Sequence, residues 1–258
     1  MEQFVCLSGL PRAGSTLLSA ILSQNPLIHA EGNSAVCQLM WDMQQSCLTS
    51  AKEQLKANDR EKSTMHTLLS NIPKLYYTNL TGTEKIVVDK CRSWTILANI
   101  SLLEKYIDPN YKIIILERSV TSIVKSFLKL YQANGLHINS EPEHLLTPNS
   151  EPIMRSLAGI NWAKKNNQAN HFLFIQYDDL VRAPAEVVQR IYEFCQWAPF
   201  VHNFDNIVCK YPENDEVYRL KGMHQVHDAV MPRKNPVVLQ KKLHDNCVKV
   251  DKLMGYCL

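Results

Sequence analysis

The first 22 residues constrain the fold more than any other stretch. Phe4-Val5-Cys6-Leu7-Ser8 is a short apolar run of the kind that forms a buried strand. Residues 9–14 turn the chain, with glycine at both ends of the turn. Leu17, Leu18, Ile21 and Leu22 then recur at helical spacing, up to a stop at Asn25-Pro26. A strand that feeds a helix through such a loop gathers backbone N–H groups and the positive end of the helix dipole at one point, which suits a phosphate. Gly9, Gly14 and the hydroxyl of Thr16 keep the spacing of the phosphate-loop pattern G-x-x-x-x-G-K-[ST], but Ser15 stands where that pattern has lysine. The cation lies inside the loop instead, at Arg12. An NTPase needs the lysine on its β- and γ-phosphates. A ligand with one phosphate at this point does not.

The remaining pattern predicts more units of the same kind. Ile86-Val87-Val88, residues 113–116 and residues 172–176 read as strands, the second apolar throughout and so covered on both faces. Residues 34–75 read as mainly helical. A helix starts near Ser93 and ends at Asp108-Pro109. Another carries Val120, Ile123, Val124, Phe127, Leu128 and Tyr131 on one stripe. Further helices are predicted over 152–166, from Pro184 to about Cys195, and over 237–253. Alternating strands and helices imply a three-layer α/β fold, a mainly parallel sheet flanked by helices, in one domain over residues 1–258. Residues 134–152 read as a long loop, a candidate lid. After Phe200 the pattern weakens, and residues 208–236 are polar.

Composition narrows the function classes. Lys plus Arg is 28 against 25 Asp plus Glu, a net charge of +3. That balance gives no bulk argument for nucleic acid or membrane binding, so an anionic ligand must be held locally. No run reaches the roughly 18 apolar residues of a membrane span, and Met1 to Ser8 does not read as a secretory signal. The eight cysteines contain no CxxC pair, which is not a metal pattern. Reduced thiols and a cytoplasmic setting are expected.

Chemistry-bearing residues fall at strand ends. Arg118 follows the strand at 113–116, at the edge where α/β sheets place ligands. Ser126 lies eight residues on, roughly 140° from the apolar stripe of its helix and free to face a ligand. Lys90 follows the strand at 86–88, and Tyr177-Asp178-Asp179-Leu180 follows the strand at 172–176, where either aspartate suits a helix cap.

Pro11-Arg12-Ala13-Gly14-Ser15-Thr16-Leu17-Leu18 resembles the 5′-phosphosulfate loop of the P-loop sulfotransferases, closest in style to the Golgi-type, tyrosylprotein and related bacterial-type members. Ala13 departs from the usual serine, which removes a hydroxyl but no backbone donor. The resemblance implies a P-loop-type fold and 3′-phosphoadenosine 5′-phosphosulfate (PAPS) as sulfuryl donor. It also implies that Arg12, Ala13, Gly14, Ser15 and Thr16 hold the 5′-phosphosulfate and that Arg118 and Ser126 hold the 3′-phosphate. Tyr177 would lie near the adenine, and Lys221 and Gly222, in Arg219-Leu220-Lys221-Gly222, would close over the nucleotide. Lys90 and Arg12 would stabilise the transferring group, with no metal required.

The acceptor must lose a proton. The resemblance implies Glu31 as the base, two residues short of the family's glutamate position, with His29 as the other candidate. Small-molecule, peptide and carbohydrate acceptors all stay open, as does the oligomeric state. Met40, Trp41 and Met43 suit either an apolar acceptor pocket or plain core. Two other classes stay open as well: an ATP-dependent P-loop phosphotransferase, and a non-catalytic nucleotide-binding module.

Overall fold

Five strands form one parallel sheet in the order β2-β3-β1-β4-β5, where β1 is Gln3–Gly9, β2 Ile28–Asn33, β3 Ile86–Lys90, β4 Lys112–Glu117 and β5 Phe172–Gln176. The computed structural model describes residues 1–80, 82–136, 145–147, 151–167 and 170–256. The inner strands are apolar on both faces because helices cover both. Val5, Leu7, Val87, Val88 and Ile113 to Leu116 are fully buried. The order places β1, with the glycine loop at its end, at the centre. β3 lies on one side of it and β4 on the other, so residues leaving those three strands converge at one edge.

The covering helices are α1 Ser15–Leu22, α2 Val36–Leu48, α3 Lys52–Ala57, α4 Glu61–Tyr76, α5 Leu97–Tyr106, α6 Val120–Ala133, α7 Met154–Lys165, α8 Tyr177–Arg182, α9 Pro184–Cys195 and α10 Lys241–Leu253. The helical stretch read over 34–75 is thus three helices, broken where Thr49 and Asn58 leave helical geometry. The start near Ser93 is a 3₁₀ turn, Arg92–Thr95, before α5. Asp178 and Asp179 do not cap. They occupy the first turn of the short α8, after Gln176, where their charge suits the helix dipole. Most of the candidate lid, residues 137–144 and 148–150, lies outside the described residues.

β2 is the strand that periodicity missed. Ile28 and Ala30 are buried, but His29, Glu31 and Asn33 interrupt the apolar run, and the pairing with β3 shifts register between Ala30 and Asn33. It is an edge strand, which needs only one neighbour and tolerates polar residues.

Gly9 is required by packing. A Cβ there would sit 2.2 Å from the Leu116 carbonyl oxygen on β4. α6, which carries Ser126, is pinned by a residue of the last helix. Asp251 is fully buried and accepts from the Val120 and Thr121 N–H groups and the Thr121 hydroxyl at 2.5, 3.1 and 2.7 Å. A carboxylate at a helix N-terminus satisfies otherwise orphaned donors.

A second buried carboxylate shapes the sheet edge beside Lys90. Asp89 accepts from Ser34 Oγ, Tyr77 Oη and Trp94 Nε1 at 2.5, 2.8 and 2.6 Å. Asp89→Ala strands all three donors and is expected to cost about 3–5 kcal/mol in urea unfolding. Asp89→Asn keeps an oxygen for Trp94 and an amide for the two hydroxyls, and is expected to cost less than about 1.5 kcal/mol. Burial raises the Asp89 carboxyl above its ordinary 3.8, against the opposing pull of these hydrogen bonds. The folded chain therefore holds that proton at a pH where the unfolded chain has lost it. Stability linked to Asp89 falls as pH rises from 3.8 through the raised value, and the difference between wild type and Asp89→Asn isolates that slope.

Candidate active site

A cavity of about 500 Å³ opens over the C-terminal ends of β1, β3 and β4. Its floor is the loop from Gly9 to Thr16. Gly14 takes φ +90 at the start of α1, and a Cβ there would lie 2.8 Å from the Tyr177 ring. Only glycine meets both conditions. The loop thus turns into the N-terminus of α1 at the cavity floor, a place that suits an anion.

Arg118 and Tyr177 form the wall beyond β4. The Arg118 guanidinium lies 4.0 Å from the Tyr177 ring centroid, and its Nη1 donates to the Arg12 carbonyl at 2.8 Å. Its Nε is buried with no hydrogen-bond partner among the described residues. A buried charged donor left unpaired is costly, and a bound anion is the simplest way to satisfy it. Arg12, at φ +58, donates from Nε to Ser126 Oγ at 3.1 Å and from Nη1 to the Met223 carbonyl. Burial pulls both guanidinium groups below their ordinary value. The charge of Arg118 adds to that at Arg12, and Tyr177 opposes it at Arg118.

Lys90 leaves β3 on the opposite side. Burial pulls its ammonium down, and Glu213 opposes that by holding Nζ at 2.7 Å. Glu213 Oε2 is 3.5 Å from His224 Nε2, and His224 Nδ1 is 2.7 Å from Asp215 Oδ1. Burial acts to raise the Asp215 carboxyl, but hydrogen bonds from His224 and Gly222 outweigh it and hold the group below its ordinary value. Asp215 orients the imidazole, so that Nε2 faces Glu213.

Glu213, Asp215 and His224 belong to the irregular segment after α9, which crosses the cavity mouth. Lys221 and Gly222 line the cavity from there, and the Lys221 backbone is tied to Asn134 at the end of α6 by bonds of 2.8 and 3.1 Å. Arg219 does not line it.

The structure therefore brings together Arg12, Gly14, Ser15, Thr16, Lys90, Arg118, Ser126, Tyr177, Lys221 and Gly222 around one cavity. Ala13 is fully buried in the loop and contributes no side chain to the lining. Glu31 and His29 do not line it either. They lie on β2, with Glu31 Oε2 3.1 Å from His29 Nε2, and His29 packs between the rings of Tyr77 and Tyr211. Met40 is core, and Trp41 and Met43 pack against it away from the cavity. Asn33, Arg92, Tyr218 and His224 also line the cavity, and sequence reasoning missed them. The one available signal was position: Arg92 is two residues past Lys90, and His224 two past Gly222.

A family model described as "Sulfotransferase family" matches residues 5–200. The chain belongs to the sulfotransferase family. No curated protein matches the sequence. Among solved structures, this sulfotransferase resembles the sulfotransferase domain of the Synechococcus PCC 7002 olefin synthase, at 18% identity and a TM-score of 0.58, over 99% of this chain and 95% of that one. The sulfotransferase domain of the curacin biosynthetic pathway gives 17% identity and a TM-score of 0.54, over 99% and 98%. A sulfotransferase from Alicyclobacillus acidocaldarius gives 14% identity and a TM-score of 0.52, over 84% and 87%. At such identities the likeness is one of fold. The match ends at residue 200, so the cavity-lining His224 of this sulfotransferase, with its partners Glu213 and Asp215, lies beyond it. No described helix is long and apolar enough to cross a membrane.

Proposed function

We propose that this sulfotransferase moves the sulfuryl group of PAPS to an acceptor hydroxyl and releases 3′-phosphoadenosine 5′-phosphate. The observation that carries the reading is the pair of cationic seats on either side of the glycine loop. Arg118, with an unpaired buried Nε, lies beside Ser126 and Arg12 on the β4 side. Lys90 lies on the β3 side. A nucleotide with a 3′-phosphate and a reactive 5′-phosphosulfate carries anions that suit both.

The loop N–H groups with Ser15 and Thr16 bind the 5′-phosphate. Arg118 and Ser126 bind the 3′-phosphate, Tyr177 packs near the adenine, and Lys221 and Gly222 cover the nucleotide. The acceptor oxygen forms a bond to sulfur as the bond from sulfur to the 5′-phosphate oxygen breaks. Lys90 and Arg12 neutralise the charge that grows on the sulfuryl oxygens and the leaving phosphate. These cations take the part that Mg²⁺ plays in phosphoryl transfer, so activity should persist in excess EDTA, unlike that of an ATP-dependent phosphotransferase.

Two groups are candidates for the acceptor's base in this reading, the Asp215–His224 pair and Glu31. What favours the pair is that His224 lines the cavity and is already oriented, whereas Glu31 lies outside the lining and is engaged with His29. With radiolabelled PAPS and a panel of acceptor classes, removal of the base, tested by His224→Ala and Glu31→Gln, is expected to lower kcat by about 10²–10⁴ and leave nucleotide affinity nearly intact. If Glu31→Gln keeps full activity and His224→Ala loses it, the base is His224. Absence of transfer to every acceptor, with the nucleotide bound, would leave a binding module.

A further inference from the structure

We infer that the acceptor carries an oxyanion, a carboxylate, phosphate or sulfate, close to its hydroxyl, and that Arg92 receives it. The inference rests on the proposed donor site and adds the substrate class.

Lys and Arg side chains line the cavity, and no described Asp or Glu does. The donor accounts for several of these cations. Arg12 and Lys90 serve the reacting end, and Arg118 serves the 3′-phosphate. Lys129 comes from α6, beyond β4, on the side of Arg118 and Ser126. Arg233 lines a smaller recess together with Arg118, Tyr177 and Arg182, again on that side.

Lys221 covers the nucleotide in the proposed reading, and Lys234 follows Arg233 in the chain. Arg92 stands apart from these. It leaves β3, on the far side of the glycine loop from Arg118, two residues beyond Lys90. A donor bound across β1 with its nucleoside over β4 and β5 presents its reacting end toward β3. The acceptor must then approach from the β3 and β2 side, where Arg92, Asn33 and Tyr218 line the cavity. Arg92 is exposed, and its guanidinium makes no hydrogen bond or ion pair among the described residues. Its charge reaches both Lys90 and Tyr218.

The backbone beneath Arg92 is firmly held. Its carbonyl accepts from Ser8 Oγ at 2.9 Å, and Trp94 in the same turn is anchored on Asp89. A cation on a fixed turn, facing the acceptor side with no carboxylate partner, is poised for a ligand anion, and a guanidinium binds an oxyanion in two-pronged fashion.

The test uses pairs of hydroxylated acceptors that differ by one anionic group: glucose and glucuronate, tyrosinamide and tyrosine, 1,3-butanediol and 3-hydroxybutyrate. Transfer from PAPS is measured for wild type, Arg92→Ala and Arg92→Lys. In any pair that reacts, the anionic member is expected to have the higher kcat/KM. Arg92→Ala should lower its preference over the neutral member by roughly 10- to 100-fold, and Arg92→Lys should restore part of it.

A second measurement does not depend on turnover. Arg92 is modified with phenylglyoxal in protein saturated with 3′-phosphoadenosine 5′-phosphate, and the site is mapped by mass spectrometry. Anionic members should protect it and neutral members should not. Equal or reversed preference overturns the inference, as does a preference that survives Arg92→Ala. So does absence of both turnover and protection with every anionic member. Failure of the protein to bind the 3′-phosphorylated nucleotide at all sinks the donor reading instead, and is seen before any acceptor is added.

Discussion

Replacing Lys90 with alanine is expected to lower kcat by about 10²–10³ and to change the affinity for 3′-phosphoadenosine 5′-phosphate by less than about tenfold. The split follows from where charge appears. The bridging oxygen gains negative charge only as the bond to sulfur breaks, so an ammonium at that point stabilises the transition state more than the bound nucleotide. Lys90 is placed for this by β3, which ends beside the glycine loop, and by Glu213 at 2.7 Å. Removing Lys90 leaves a nearly buried Glu213 without its cation, so the variant must first be shown to be folded by near-ultraviolet circular dichroism. Single-turnover kinetics with labelled PAPS and calorimetry with the product nucleotide then separate the two quantities. An affinity loss as large as the loss in kcat would make Lys90 a ground-state contact and move the transition-state role elsewhere.

Arg118→Ala is expected to erase the protein's preference for 3′-phosphoadenosine 5′-phosphate over AMP. Loss of a buried Arg–phosphate contact costs about 2–5 kcal/mol, and AMP lacks the group that makes the contact. Wild type should bind the bisphosphate more tightly by an amount of that order. The variant should bind both alike, with a further loss of about 0.5–2 kcal/mol common to the two, because Tyr177 also loses its cation partner. Arg118→Lys should recover little, since an ammonium does not reproduce the planar fork. Equal calorimetric affinities of wild type for the two nucleotides would remove the 3′-phosphate seat from this corner of the cavity.

The residues proposed to hold the donor were legible because they belong to local units. A strand, a turn and a helix within 22 residues put Arg12, Gly14, Ser15 and Thr16 in place whatever the rest of the chain does. Arg118 follows directly on an apolar strand and Lys90 ends one, and strand ends are where parallel sheets present side chains. Ser126 was singled out by the family resemblance, with a helical phase that agrees, and Arg12 meets it at 3.1 Å. β2 escaped notice because an edge strand of six residues with three polar ones carries no clear period. Glu31 and His29 lie on that strand.

By itself, the sequence determined the parallel α/β architecture, the glycine loop between β1 and α1 and the cations at two strand ends, since each follows from apolar periodicity and short-range turns. Only the tertiary structure decided what stands opposite them. Glu213 is 123 residues from Lys90, and Met223 is 211 from Arg12. Such pairs are set by how an irregular, polar segment is draped over the sheet edge. That path has no period to read, because no regular ladder fixes it. Asn134, the Met223 carbonyl and the room left over the ends of β2 and β3 fix it instead. The same long-range packing put Asp251 of the last helix under α6 and left the Arg118 Nε without a partner. Sequence can name the residues able to bind an anion, but which of them remain unpaired depends on every segment that folds back across them.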